Sequence, residues 1–461
     1  MATIKPDPSF YPSPESAIAG PPEDLAYVVT LDTTGNNPDA LNVVDVGSGE
    51  RVGRLDMPNV GDELHHFGWN ACSSALCPWA AHPHVERRYF LVPGLRSSRI
   101  HVVDVKDDPR APKLAKVIEP DELAAKTNYS RPHTFHCGPD GLYASALGAP
   151  DGDGPGGVFL LDHDDFSVKG QWEADRGPQE LAYDIWWNIG FDRVVTSEWG
   201  TPNMVESGVN PELLLGGKYG HQLHIWDMRK RTHQQAIDLG PEQQMVLELR
   251  PAHDPNKPWG FVGVVVSTAD LSASVWLWHP EKDNGKIAAT KVIEIPAEPA
   301  ETEQLPPALQ PFGAVPPLVT DIALSVDDKS LYVSCWASAS SSATTSATRS
   351  IRARPARCVW AASSSARRTR PRARSTAGRR WSRSAATASA CTSRARSTRA
   401  GTRSSTPRGS TAGWSSWTPR ATSRSTPTSS SPSRASGPTR CASPAATPAR
   451  TATASPTRAS G

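Results

Sequence analysis

The 461-residue chain has a formal charge of +2, from 49 Lys+Arg against 47 Asp+Glu. Residues 337–461 hold 23 of the Arg and no Lys, Asp, Glu or His, so 1–336 keeps 26 basic and 47 acidic residues, a net of about −21. Seven Cys at irregular spacings do not form a disulfide scaffold, no 18-residue apolar run occurs, and the N-terminus has no apolar signal core, so a cytoplasmic protein outside the membrane is expected.

Along the chain, one short pattern recurs: an apolar strand closed by Asp and followed by a polar turn. It appears at Leu41-Asn-Val-Val-Asp45, Ile100-His-Val-Val-Asp104, Val158-Phe-Leu-Leu-Asp162 and Leu223-His-Ile-Trp-Asp227, with Asp-to-Asp steps of 59, 58 and 65 residues. Val275-Trp-Leu-Trp-His279 is a fifth copy, 52 residues further on, with His in place of Asp. Repeats of this length suit four-stranded propeller blades with generous loops. A β-sandwich pair would not explain the regular spacing. With two further copies recoverable from the C-terminal part, as set out below, a seven-bladed β-propeller is expected over 1–336 and beyond.

Between these strands lie the residues able to do chemistry. All 13 His precede residue 280. The first group is Asp62-Glu-Leu-His65-His66-Phe-Gly-Trp69-Asn-Ala-Cys72. Adjacent His on a straight strand face opposite sides, so both reach one ion only where the backbone bends. His133-Thr-Phe-His136 is an i,i+3 pair that a turn would converge, and His253 sits in the loop-like Pro251-Ala-His-Asp-Pro255. Imidazoles suit copper, zinc, iron or nickel, with a carboxylate such as Asp62, Glu63 or Asp254 orienting a ring. On pattern alone each pair reads first as a surface loop or a satisfied polar residue. Cys72 and Cys77 read first as buried, inert thiols. His82-Pro-His84 reads as an exposed turn, and Asp151-Gly-Asp-Gly-Pro-Gly-Gly157 as a solvated hairpin loop lacking the Glu of an EF-hand. Trp186, Trp187, Trp199, Trp226, Trp276 and Trp278 read as blade packing. No phosphate loop, G-x-S-x-G elbow or H-E-x-x-H motif is present.

After Trp336 the composition collapses to Ala, Ser, Thr, Pro, Arg and Gly, with no Leu, Phe, Tyr or Met. Such a segment has nothing to build a hydrophobic face from, so 337–461 is expected to be a disordered tail. Taken at face value it is a basic, nucleic-acid-binding arm. A shifted reading frame in a GC-rich gene accounts for it better, because the abundant residues all have G or C as the middle codon base. Shifted back, Gly413–Thr418 permits Trp-(Leu/Met)-Val-Lys-Leu-Asp and Thr344–Arg349 permits Tyr-Asp-Val-Ser-Asp-Pro, which restore the repeat pattern. On this reading no specific nucleic-acid partner is expected, and a ring short of blades should be inactive and prone to aggregate.

The head resembles the selenium-binding protein family, whose members include methanethiol oxidases. The stretches that carry the resemblance are Asp62–Ser74, Ser97–Val105, Pro109–Pro120, His133–His136, Ser197-Glu-Trp-Gly-Thr-Pro-Asn203 and Leu318–Asp328, within about Pro12 to Trp336. The resemblance implies a cytosolic YVTN/WD-like propeller. It also implies copper-assisted oxidation of methanethiol by O2 and water to formaldehyde, hydrogen sulfide and hydrogen peroxide. Its implied metal set is His65, His66, His133, His136 and His253, completed by a C-terminal His that the shifted frame returns at Thr439. Trp69 and Cys72 are the candidate catalytic neighbours, as substrate wall and auxiliary soft ligand. Selenium is a second candidate cofactor, though the cysteine associated with it has no match near Gly49–Arg51. Competing readings are a non-catalytic propeller that binds selenium compounds or partner proteins, and a lactonase-like hydrolase, whose axial carboxylate and Asn ligands do not stand out.

Overall fold

The computed structural model describes residues 11, 13–71, 85–282 and 285–336, together with a strand at 357–362. Cys72, Cys77 and the back-read segments fall outside these residues. Of the expected disordered tail, only Arg357–Ala362 is described, as a strand.

The described residues form successive antiparallel sheets, as the repeat spacing predicts. The first holds β1 (Leu25–Thr30), β2 (Pro38–Asp45) and β3 (Arg51–Val60). The second holds β4 (Gly68–Trp69), β5 (Tyr89–Pro93), β6 (Ile100–Asp104) and β7 (Lys113–Ile118). The third runs from β8 (Ser130–Cys137) through β9 (Leu142–Gly148) and β10 (Gly157–Leu161) to β11 (Val168–Gln171). The fourth comprises β12 (Ile185–Asn188), β13 (Arg193–Ser197), β14 (Gln222–Asp227) and β15 (Thr232–Asp238). The fifth comprises β16 (Gln243–Pro251), β17 (Gly260–Ser267), β18 (Ala273–Pro280) and β19 (Ile287–Ile295). After a short β20–β21 ribbon (Glu298–Pro299, Ala314–Val315), a sixth sheet begins with β22 (Val319–Leu324) and β23 (Ser330–Cys335). The strand at 357–362, β24, lies parallel to β23, unlike every other pairing between named strands.

These sheets are the blades of a β-propeller. The repeated strand is the third of the second to fifth blades (β6, β10, β14, β18) and the middle strand of the first (β2). Its terminal Asp closes the following turn: Asp45 accepts from the Ser48 N–H, and Asp227 from the N–H groups of Arg229 and Lys230. The repeat was legible because a turn chemistry recurs with it.

Each interface between blades is its own apolar cluster. Tyr27, Leu41, Val43, Phe90, Val92 and Val103 join blades one and two. Leu91, Val102, Phe135, Phe159 and Leu161 join two and three. Tyr143, Trp172, Trp187 and Trp226 join three and four. Val195, Leu223, Val246, Val264 and Trp278 join four and five, and Val275, Ile293, Ile322 and Val333 join five and six. A blade is thus stabilised by its neighbours, as in any stacked repeat. The first strands of successive blades meet each other: β4 touches β8, β8 touches β12, β12 touches β16, and β16 touches β22. Among the described residues no helix is long and apolar enough to cross a membrane.

Candidate metal centre

His65 and His66 lie just before β4, where Leu64 bridges Gly94 and the His65 N–H donates to the Pro93 carbonyl. His66 then takes a left-handed backbone with φ of 23°, so the strand alternation that would part the two rings is broken there. The rings of His65 and His66 lie 4.7 Å apart between centroids. This is the bend that the sequence required before both could serve one ion.

On β8, Pro132 pairs with Ala146 and Phe135 with Ala144, so three steps on one strand face two on the other. The bulge falls at His133–Thr134 and re-aims those side chains. His133 comes 4.7 Å from His65 and 4.1 Å from His66, between ring centroids. One nitrogen from each of His65, His66 and His133 lies within 4.8 Å of the others. The bulge, not the expected turn, brings His133 into the group. The His136 ring stacks on Trp186 at 3.9 Å, with Nε2 3.9 Å from Asp184 Oδ1.

The centre is dry. His65 and His133 are buried, and His65 Nδ1, His133 Nε2 and His136 Nε2 have no hydrogen-bond partner among the described residues. Burial pushes His65 down to about 4 and His66 and His133 well below the usual imidazole value, with neighbouring imidazoles adding to the effect on His66 and His133. Burial thus favours the neutral form of all three rings. Unpaired buried nitrogens of this kind are costly in a folded protein unless something binds them.

Beside the rings lies a buried polar network that the sequence did not disclose. Tyr183, immediately before β12, donates its hydroxyl to Glu248 Oε1 at 2.9 Å and lies 3.1 Å from His66 Nε2. Glu248 Oε1 is itself 3.2 Å from His66 Nε2. Arg250 meets Glu248 Oε2 at 2.9 Å, Asp321 at 2.9 Å and Asp184 at 3.6 Å. One guanidinium faces three carboxylates. Burial pushes Glu248 well above the usual carboxylate range and Asp321 up to about 6, with Arg250 opposing in both cases. Burial, followed by Glu248, pushes the Tyr183 phenol well above its usual value, so it stays a donor. A signal for this network existed in Met245-Val-Leu-Glu-Leu-Arg250, where two charges at i,i+2 interrupt an apolar run on a buried strand.

The remaining candidates lie in other surroundings. The Nδ1 of His253 pairs with Asp328 at 3.1 Å. Trp69 packs its ring on Phe90 at 3.7 Å and on Tyr27 at 5.9 Å, under the Arg87 guanidinium. Asp62 orients no ring of the cluster: its carboxylate meets Arg99 and lies 3.5 Å from His101. Glu63 pairs with Arg96, and Asp254 with Lys257.

Comparison with known proteins identifies the family. A family model described as the 56 kDa selenium binding protein matches residues 4–342. A methanethiol oxidase of Xenopus laevis is 41% identical over 334 residues, 71% of this chain and 67% of that protein. Selenium-binding protein 2 of Mus musculus is 38% identical over the same shares. The X-ray structure of a hypothetical selenium-binding protein from Sulfolobus tokodaii superposes with a TM-score of 0.68 at 55% identity, covering 72% of this chain and 73% of that one. The chain belongs to the 56 kDa selenium binding protein family.

Proposed function

We propose that this member of the selenium-binding protein family is a methanethiol oxidase, working in the cytoplasm with a copper ion held by His65, His66 and His133. In the reaction, one methanethiol, one O2 and one water give one formaldehyde, one hydrogen sulfide and one hydrogen peroxide. Three neighbouring imidazoles, two of them buried, with one nitrogen of each within 4.8 Å of the others, are the observation that carries the reading. The unpaired His65 Nδ1 and His133 Nε2 suit a soft transition ion, and His136, whose Nε2 is likewise unpaired among the described residues, is a further candidate donor. Relatives named methanethiol oxidase support the substrate and the reaction class.

Copper bound there would supply a soft centre for thiolate sulfur and a route for electrons to O2. The chain's own residues hold the rings neutral by burial, tie down the Nε2 side of His66 through Tyr183 and Glu248, and offset an added positive charge with the carboxylates around Arg250.

The family match ends at residue 342, close to the change of composition after Trp336. That supports the reading of the later residues as an out-of-frame product, and little turnover is expected from the chain as it stands. The test is elemental analysis for copper, then sulfide and peroxide release from methanethiol, in both this chain and one with its frame restored. Copper near one per chain and coupled release of both products from the restored chain are expected. A restored chain that folds but holds no copper and releases no sulfide refutes the oxidase and favours a binding role.

A further inference from the structure

We propose that Glu248 is a positioning residue for the metal centre: with Tyr183 it occupies Nε2 of His66, so that Nδ1 is the nitrogen this ring offers to an ion. The inference rests on the metal reading above and assigns the atom through which His66 takes part.

Glu248 Oε1, the Tyr183 hydroxyl and His66 Nε2 form a closed triangle with sides of 2.9, 3.1 and 3.2 Å. Whichever of these atoms holds a shared proton, Nε2 is committed to the triangle. An ion on Nδ1 requires the ring's remaining proton on Nε2, where the Tyr183 hydroxyl oxygen is in hydrogen-bond contact and Glu248 Oε1 lies at ion-pair distance. Glu248 in turn has little freedom. Its other oxygen meets Arg250 at 2.9 Å, and Arg250 is fixed by Asp321 at 2.9 Å and by donation to the Leu249 carbonyl at 2.6 Å.

The backbone is shaped for this contact. On β16, Val246 pairs with Val264 and Leu249 with Val262, a bulge that contains Glu248. Met245, just ahead of it, has a φ of 65°. The bulge on β8 presents His133 and the bulge on β16 presents Glu248, so the same device serves the ring and its support. Tyr183 is held independently, its carbonyl accepting from Ser145 Oγ at 2.6 Å and its N–H donating to Ser197 at 2.9 Å. Supports of this kind are worth about 10–100-fold in metal affinity.

The experiment uses the full chain, as it stands and with its frame restored, with 15N-labelled histidine and zinc as a diamagnetic probe. In the zinc-loaded protein His66 should carry its proton on Nε2. Glu248→Ala should weaken zinc binding about 10–100-fold, while Glu248→Gln, which keeps an acceptor in place, should lose clearly less. Without metal, Glu248→Ala should still move the 15N resonance of His66 Nε2. The inference is overturned by a loaded His66 protonated on Nδ1, by unchanged zinc affinity in Glu248→Ala, by Gln losing as much as Ala, or by an unmoved metal-free resonance. Failure of wild-type protein to take up either zinc or copper overturns the metal reading instead, and the metal-free resonance still decides the role of Glu248.

Discussion

Asp328 Oδ1 accepts two hydrogen bonds from one residue, from the backbone N–H of His253 at 2.8 Å and from its Nδ1 at 3.1 Å. Lys257 adds an ion pair to Oδ2 at 3.1 Å. The carboxylate sits on the turn after β22, so the contact clips the loop that follows β16 to the sixth blade.

His253 should therefore behave as a structural residue. His253→Ala is expected to cost about 1.5–3 kcal/mol of stability, the worth of a hydrogen bond to a charged group, and to leave copper content unchanged. His65→Ala, His66→Ala and His133→Ala should each lose most of the bound metal. Unfolding curves and elemental analysis on the same preparations check both halves. Copper lost in His253→Ala with stability intact would restore it to the ligand set.

Acid should act on the metal-free protein through His65. Burial lowers this ring from 6.5 to about 4, so the unfolded chain takes up a proton at a pH where the folded chain does not. The contribution is complete above 6.5 and drains as pH falls toward 4, on the order of 3 kcal/mol in all. Asp321, raised from 3.8 to about 6, acts with the opposite sign: its contribution is present below 3.8 and lost as pH rises through 6. Subtracting the pH–stability curve of His65→Asn from that of the wild type should isolate the first effect, as a difference that falls between pH 6.5 and 4. A flat difference would contradict a neutral buried ring.

Gly68 carries the approach of β4 to β8. A Cβ there would run into the carbonyl oxygen of Phe135, with the Phe135 Cβ close behind. Gly68→Ala should force the two strands apart at a cost of about 1–3 kcal/mol, as overpacking does, and should loosen His66 from His133. Zinc affinity and the melting temperature should fall together. An alanine variant with wild-type affinity would show that the spacing of the strands does not set the centre.

Trp69 makes a contrasting case. Its ring packs on Phe90 and meets Tyr27 edge-on in the interface of the first two blades. Trp69→Ala should cost about 3 kcal/mol, the lower end for removing a large aromatic from a core, with metal content retained. A fall in turnover at unchanged stability would instead support the substrate-wall role.

The blade strands were legible in the sequence because Asp45, Asp104, Asp162 and Asp227 mark each repeat with a turn that caps locally. The convergence of His65, His66 and His133 was only partly legible. Strand alternation argues against neighbouring His sharing a face, and a φ of 23° at His66 and the bulge at His133 reverse that argument. Tyr183, Glu248, Arg250 and Asp321 were not found, because a buried charge inside an apolar strand gives no periodic signal until its partners from other blades are known. Sequence spacing had no means of showing Asp328 beside His253.

The axial network draws one group or more from each of five consecutive blades: His66, His133, Asp184, Glu248 and Asp321. No hairpin or local segment holds enough of it to form early, so its assembly carries the full loop-closure cost of high contact order. The imidazoles should then come together only at the rate-limiting step of folding. A probe on the rings and a probe on the backbone would follow one kinetic phase.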